Sequence, residues 1–439
     1  VKVVKGFTRA RELLSRQVSA QTLPLSPALR RRLNKLFGTE DPEQAVRWII
    51  DRVCQEGDAA LFSLAEKIDG VKLSSLELSQ KQVQSAYQKA DEELIAVIKQ
   101  AAERIREFHT AQKKAVCHEL AGKEWGQLIR PLEKVGIYVP GGTAAYPSTV
   151  LMTAVPAKSA GVKEVVMVTP PKADGEISPA VLVAADVAGV DRIFTIGGAQ
   201  AIAALAYGTE SVPRVDKICG PGNVFVVLAK KAVYGDVGID GLQGPSEVLL
   251  IADETASAEY CAADLLAQAE HDPLAQAILV TTSLTLAEKV NKEIARQLAR
   301  LSRKATAGES LKRGVIAVVE SMDEAVALAN FYAPEHLCLM VRDTEKYINR
   351  IANAGCIIIG DKATVVLGDY IAGPSHVLPT GGTARFSSPL SVIDFVKFIN
   401  VIKVSDAMLR QVGPAASLLA RAEGLDAHAM AIEKRLKAG

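Results

Sequence analysis

The spacing of apolar residues changes along the chain, and each change marks a different kind of element. Through the first third, apolar positions recur three and four apart, as in "DPEQAVRWIIDRVCQEGDAALFSLAEKIDG" (41–70) and "SQKQVQSAYQKADEELIAVIKQAAERIREFH" (79–109). That period predicts amphipathic helices, the first with Asp41 as N-cap and Pro42 in its opening turn. From about residue 135, short apolar runs rich in β-branched residues take over. "KVGIYV", "EVVMVTP", "RIFTIGG" and "VDKICG" are separated by Ala-rich stretches such as "AQAIAALAYG". A second series follows in "SEVLLIAD", "AILVTTS", "GVIAVVES", "LCLMV" and "GCIIIG", each trailed by a helical stretch. Strands apolar on both faces and alternating with helices predict parallel sheets covered on both sides, here in two α/β units. From about Pro389 onward the chain reads as helices, polar on one side, with no core of their own; this tail must dock elsewhere.

A length of 439 residues exceeds what one hydrophobic core usually serves, so two main domains are expected. The 51 lysines and arginines nearly balance the 50 aspartates and glutamates, which removes the electrostatic reason to expect nucleic acid or an anionic membrane as partner. Cys54, Cys117, Cys219, Cys261, Cys338 and Cys356 lack both the paired spacing of a zinc ribbon and the density of a disulfide scaffold. They read as buried thiols in a reducing compartment. With no secretory signal and no apolar run long enough to span a bilayer, the expectation is a soluble, cytoplasmic protein. The chain opens on Val1 rather than methionine, which leaves room for residues before it.

In open parallel sheets, ligands gather beyond the carboxyl ends of the strands. Two Gly-rich turns, "PGGTAAYPS" after "GIYV" and "CGPGN" after "DKI", lead into helices and could set backbone N–H groups against a phosphate. A plain tight turn is the competing reading of each, because the six-residue glycine fingerprint with its following acid is absent. Cys219, beside the second turn, invites a nucleophile reading, but no base lies near it in sequence and an inert buried thiol is preferred. The second α/β unit carries more chemistry. "LLAQAEHDP" places Gln268 and His271 at spacing i, i+3 at the end of a helical stretch, where they could converge on a metal or His271 could simply meet the last carbonyls. "LGDYIAGPSHVLPTGG" puts Asp369 and His376 in one long loop of a kind that usually carries function. "APEHL" sets Glu335 against His336, either as a catalytic pair or as the capped start of a helix. His109 and His118 stand in plain polar sequence, whereas His271, His336, His376 and His428 lie near acids, glutamine or Gly/Pro-rich turns. With Asp369, Glu335 and Glu423 they suit a zinc site plus a general base.

In chain order, "YVPGG", "GGAQAIAALAYGT", "GPGN", "GPSEVLLIAD", "AQAEHDP", "APEHL", "GDYIAGPSHVLPTGGTARFSSPL" and "EGLDAHA" resemble the histidinol dehydrogenase family along almost the whole chain. The first sixty residues and 291–312 carry least of the likeness. The resemblance implies an α/β fold of two Rossmann-like domains, each an incomplete, open parallel sheet, with helical N- and C-terminal extensions. On that pattern residues 1–32 form the N-terminal extension, and 33–137 with 246–388 form the zinc and catalytic domain. Residues 138–245 form the NAD-contacting domain and 389–439 a dimerisation arm. The implied activity is a four-electron oxidation of L-histidinol through L-histidinaldehyde to L-histidine by two NAD, in histidine biosynthesis. It would be carried out by a homodimer with one zinc per subunit and shared active sites. The resemblance also assigns residues. Gln268, His271, Asp369 and His428 would hold zinc and, through it, substrate; Glu335 and His336 would be the acid–base pair. Ser246, His376 and Glu423 would touch substrate alongside His336, and Tyr138, Gln200 and Asn223 would contact NAD. His336 would take the hydroxyl proton as hydride leaves, and Glu335 would activate the water that hydrates the aldehyde. Zinc would anchor the substrate amine and imidazole more than it activates water.

Two positions depart from the family's habit: Ser375, where Asn is common, and Gln243, where Ala is common. Both flank expected contact residues and so bear on substrate fit. Three other readings stay open on sequence alone: a related zinc and NAD enzyme acting on another small alcohol, a zinc hydrolase without nucleotide, and a non-catalytic metabolite-binding protein. NADH formation from L-histidinol, with and without a chelator, separates the last two from a dehydrogenase.

Overall fold

The computed structural model describes residues 1–15, 27–122, 124–141 and 145–438. It divides into two compact units: Val1–Lys113 with Leu132–Phe395, and Lys114–Pro131 with the residues from Val396 onward. The strands are β1 (Lys2–Lys5), β2 (Leu120–Ala121), β3 (Trp125–Pro131), β4 (Lys134–Tyr138), β5 (Glu164–Val168), β6 (Arg192–Phe194) and β7 (Lys217–Cys219). They continue with β8 (Gly238–Ile239), β9 (Glu247–Ala252), β10 (Gln276–Thr281), β11 (Val315–Val318), β12 (His336–Met340), β13 (Cys356–Ile359) and β14 (Val396–Ile402).

The first unit holds both parallel sheets. The larger runs β1-β11-β10-β9-β12-β13 and the smaller β6-β5-β4-β7-β8, every pairing parallel. The period-2 geometry of a strand sends alternate residues of β9 to opposite faces. Val248, Leu250 and Ala252 enter one core with Leu265, Leu266, Leu286 and Val290 of the covering helices. Leu249 and Ile251 enter another with Ala10, Leu14, Leu328 and Tyr332. Both faces being covered, the strand is uninterruptedly apolar after Glu247, as its sequence predicts.

The N-terminal helices form as expected. Asp41 accepts a hydrogen bond from the Glu43 N–H at 2.9 Å to cap the helix Pro42–Glu56, and Ser79 with Gln82 closes a capping box on Gln80–Lys89. Val46, Ile49, Val53, Leu61 and Leu64 share a core with Phe194, Ile196 and the helix Gly198–Tyr207. The stretch 46–76, expected to go with the zinc-domain segment 33–137, therefore packs on the smaller sheet. The N-terminal extension is not purely helical, since β1 joins the edge of the larger sheet; residues 16–26 of it lie outside the described residues.

The second unit is a three-stranded antiparallel sheet, β14-β3-β2, with two helices, Asp406–Ala422 and Asp426–Ala438. The C-terminal tail thus opens on a strand that the helical reading did not foresee, paired along its whole length with β3. The two helices pack on each other, with Gly413 against Ile432 and Leu436 and with the Arg421 guanidinium on Glu433 at 2.9 Å. Side chains on this unit with large apolar exposure include Ile402 (77%), Leu418 (70%) and Leu419 (66%).

The smaller sheet is closed on its last two strands by a buried ion pair. The side chains of Lys230 and Asp240 are each 1% exposed, with Nζ 2.5 Å from Oδ1. Lys230 Nζ also donates to the Gly220 carbonyl (3.1 Å) and to Gln243 Oε1 (3.0 Å), while Asp240 Oδ2 accepts from the Gly220 N–H at 2.7 Å. Removing one member leaves the other charge buried and unmatched, so Lys230→Met should lower the unfolding free energy by about 3–5 kcal/mol. Lys230→Met combined with Asp240→Asn should recover part of that loss in urea unfolding. An equal loss in both variants would remove the unpaired charge as the cause.

Candidate active site

The catalytic candidates are set by backbone pairing. His336 is the first residue of β12, opposite Val248 of β9 and Cys356 of β13. One residue earlier, Glu335 lies beside the start of β9, and its Oε2 accepts the Glu247 N–H at 2.7 Å. His336 Nδ1 lies 3.4 Å from the Glu247 carbonyl oxygen. The chain reaches this point from the helix Met322–Tyr332 through Ala333, the one non-glycine residue with positive φ (53°) among the described residues, followed by Pro334. A left-handed alanine costs about 1–2 kcal/mol. The turn is held by the Gly355 N–H on the Pro334 carbonyl and the Cys356 N–H on the Glu335 carbonyl, both at 2.9 Å. "APEHL" is therefore a helix-to-strand turn, not the start of a helix.

Glu335 (6% exposed) and His336 (5%) are buried side by side, with Oε2 and Nδ1 3.7 Å apart, and His336 Nε2 is 3.3 Å from Asp369 Oδ1. The imidazole thus stands between two carboxyls. Burial pushes the Glu335 carboxyl up to about 7 against the opposing pull of His336 and of the Glu247 N–H. Burial acts to lower the His336 pKa, but hydrogen bonding to Asp369 and the charges of Glu335 and Asp369 leave it above the ordinary value. Asp369 is raised by burial but lowered on balance by His336, His376 and His271. It sits in the short helix Val365–Tyr370, whose N-cap Thr364 donates to Asp264 Oδ1 at 2.6 Å. His376 Nδ1 donates to the Asp369 carbonyl at 2.8 Å, which fixes the tautomer and frees Nε2; burial lowers its pKa.

The structure brings Glu335, His336 and Asp369 side by side, with His376 on the Asp369 carbonyl; His271, which follows the helix Ala258–Ala269 that carries Gln268, is exposed and acts on Asp369 and His376 through its charge. His271 lies two residues past that helix rather than on its face, and its N–H bonds the Gln268 carbonyl. Ser246 directly precedes β9. The pair lies at the amino edge of the larger sheet, contrary to the carboxyl-end rule. The carboxyl ends of β9 and β12 run into turns closed by Asp253, which accepts the Thr255 and Arg342 N–H groups.

On the smaller sheet the residues expected to contact NAD do stand at carboxyl ends. Tyr138 ends β4, Gln200 opens the helix Gly198–Tyr207 after β6, and Asn223 caps the helix Val224–Val233 after β7, accepting from the Phe225 and Val226 N–H groups. The Gly198 N–H donates to Tyr138 Oη at 3.1 Å. Gly220, at φ 111°, presses on the Tyr138 carbonyl, and a Cβ there would come within 2.2 Å of that oxygen. Residues 142–144 of the other Gly-rich turn lie outside the described residues. Burial, aided by the Asp240 charge, raises the Cys219 thiol well above its ordinary pKa, which supports the inert-thiol reading.

The sequence profile described as histidinol dehydrogenase matches residues 34–436. The chain belongs to the histidinol dehydrogenase family. It is 54% identical over 438 residues to histidinol dehydrogenase of Dehalococcoides mccartyi, covering 100% of both chains. To that of Clostridium acetobutylicum it is 51% identical over 410 residues, covering 92% of this chain and 95% of the other. The crystal structure of histidinol dehydrogenase from Elizabethkingia anophelis superposes with a TM-score of 0.91 at 36% identity, covering 100% of this chain and 98% of that one.

The metal expected of a histidinol dehydrogenase can be tested against the residues here. Among the described residues, no three His, Cys, Asp or Glu side chains stand together as a metal group. The expected ligand set would not make one within the first unit, since it has two members of those types there, His271 and Asp369; a third is an amide, and His428 belongs to the second unit. Gln268 supplies the positive observation. It is buried, and its Nε2 has no hydrogen-bond partner. The unmatched atom is the donor end of the amide, which offers a cation nothing; the same amide turned over sets Oε1 in that place, an oxygen ligand for a cation. Glu423 and His428, on the helical part of the second unit, are exposed.

Glu247 was not singled out from sequence, yet its main chain orients both Glu335 and His336, and its Oε1 accepts the Gly381 N–H at 3.3 Å. Its signal was an acid opening an otherwise apolar strand. The two departures from family habit also find work in the scaffold. Ser375 is buried with its Oγ donating to the Met152 carbonyl at 2.9 Å, and Gln243 receives Lys230. Removing an expected ligand should weaken metal retention by about tenfold or more. Zinc content after dialysis should fall in His271→Ala and Asp369→Ala and persist in His376→Ala; the reverse pattern would refute this ligand set.

Proposed function

We propose that the chain oxidises L-histidinol through L-histidinaldehyde to L-histidine with NAD as hydride acceptor, as a zinc-containing homodimer. The observation that carries this reading is the row Glu335, His336, Asp369, its first two members buried, with 3.7 Å and 3.3 Å between neighbours, in a chain of this family. A hydrolase would need a metal-activated water and no dinucleotide site, whereas this chain sets Tyr138, Gln200 and Asn223 at the carboxyl edge of a second parallel sheet.

His336 is the base of the alcohol step. It takes the hydroxyl proton as the carbinol carbon loses a hydride, and the flanking carboxyls stabilise the imidazolium that results. Glu335, whose pKa lies near 7, is poised near neutral pH to draw a proton from the water that adds to the aldehyde. His336 then serves again in the oxidation of the hydrate. Gln268, His271, Asp369 and His428 would hold zinc, which would supply an anchor for the amine and imidazole of the substrate. Ser246, His376 and Glu423 would complete the substrate's contacts. Aldehyde oxidation through hydration needs no thiol, in keeping with an inert Cys219.

The homodimer reading rests on the second unit. Its exposed apolar side chains, Trp125, Ile402, Leu418 and Leu419 among them, exceed what a solvated tail needs, and the unit also carries Glu423 and His428. We place these two residues in the partner's active site.

If Glu335 serves hydration, Glu335→Gln should slow aldehyde oxidation by about 10²-fold or more while slowing alcohol oxidation much less, and His336→Asn should slow both. Single-turnover NADH formation from the alcohol and from the aldehyde measures this, and equal losses for Glu335→Gln would count against its role. Subunit sharing has its own readout. Mixed dimers of His336→Ala and His428→Ala chains should regain activity, because one of the two sites then combines two intact contributions. Heterodimers that form and stay inactive would refute the sharing alone.

A further inference from the structure

The helix Asp58–Leu64 widens into a π-turn, Ala65–Asp69, that is stopped by Gly70 at φ 72°. Widened turns of this kind break the regular hydrogen-bond ladder and recur at functional sites. This one ends on Asp69, a carboxylate at a helix carboxyl terminus, where the helix dipole disfavours negative charge. Burial pushes its carboxyl up to about 6, and the Arg32 guanidinium acts in the opposite direction. Asp69 is therefore held at a cost. Its Oδ2 lies 3.5 Å from Gln200 Nε2, and its charge reaches Tyr138. Gln200 stands in the first turn of the helix Gly198–Tyr207, whose N-cap Gly197 offers no side chain to its amides. The acid that follows the second Gly-rich turn, Asp240, is buried against Lys230 and the Gly220 N–H and has no reach to a ligand.

We propose that Asp69 is the residue that discriminates between the two nicotinamide dinucleotides. Its carboxylate accepts hydrogen bonds from the vicinal hydroxyls of the adenosine ribose and repels a 2′-phosphate. The inference rests on Tyr138, Gln200 and Asn223 as the cofactor contacts. A carboxylate has two acceptor oxygens for the two donors of a ribose diol, and parallel-sheet dinucleotide sites often use an acid in this way. Here the acid comes from the helical N-terminal part of the chain, not from the β-α segment of the cofactor sheet. The same charge set against a phosphate is a repulsive element, which gives discrimination without tightening the preferred complex.

The test compares dissociation constants of NAD⁺ and NADP⁺ for the full-length enzyme and for Asp69→Asn, Asp69→Ser, Gln200→Ala and Asn223→Ala. Both Asp69 variants should narrow the NAD⁺ to NADP⁺ preference by about tenfold or more, without loss of zinc. The unmodified enzyme should bind the 2′-deoxyadenosine analogue of NAD⁺ about tenfold more weakly than NAD⁺, a measurement that does not depend on any variant folding. A preference that stays constant because both affinities move together would make Asp69 a structural residue and overturn the proposal, as would undiminished binding of the deoxy analogue. Should Gln200→Ala and Asn223→Ala leave NAD⁺ affinity unchanged, the cofactor placement itself fails, a result distinct from failure of the Asp69 role.

Discussion

A carboxyl group buried at the edge of a parallel sheet must find a donor or stay neutral, and much of the site follows from how Glu335 meets that requirement. Its partner is the Glu247 main-chain N–H, available because Glu247 opens a strand. That single hydrogen bond ties the helix-to-strand turn at Ala333 and Pro334 to the start of β9. The parallel register between β9 and β12 then sets His336 next to the same residue. The imidazole, once placed, draws Asp369, and Asp369 through its carbonyl orients His376. Four candidate site side chains are thus ordered outward from one backbone donor.

The two sheets divide the labour by polarity. On the smaller sheet the dinucleotide candidates sit at carboxyl ends, where helix N-termini and exposed amides favour anions. On the larger sheet the acid and imidazole groups sit at amino ends, where the Glu247 N–H that opens β9 holds a carboxylate in a dry setting. A parallel sheet offers both edges. The carboxyl-end rule describes phosphate-binding sites well, but it gives a buried general base no reason to follow it.

Legibility in the sequence tracked how local the determinants were. The apolar runs that became β9, β10 and β12 announced themselves, because a strand covered on both faces is apolar throughout. The Asp41 cap was equally readable, being a three-residue affair. The strands β1 and β14 were not, since "KVVK" and "VKFINVI" carry charged or polar residues and their partners, β11 and β3, lie hundreds of residues away. The Glu335 and His336 pair could be read as chemistry from the motif "APEHL", but its place at an amino edge depends on pairing with Val248 and could not. Glu247 escaped for the same reason: its role is exercised through its backbone, which has no letter in the sequence.

The smaller sheet ends at Ile239 and the larger resumes at Glu247, so residues 240–246 are the short direct link between them. This link is fastened at both ends, by Asp240 and Gln243 on Lys230 and by the Gly244 N–H on Thr380 Oγ1 at 2.6 Å. A hydride travels only between atoms in van der Waals contact, so the distance between the two sheets is itself a catalytic variable. The link behaves as a spacer of fixed length. Insertion or deletion of a single residue there would leave both half-sites folded and correctly furnished, yet out of reach of each other.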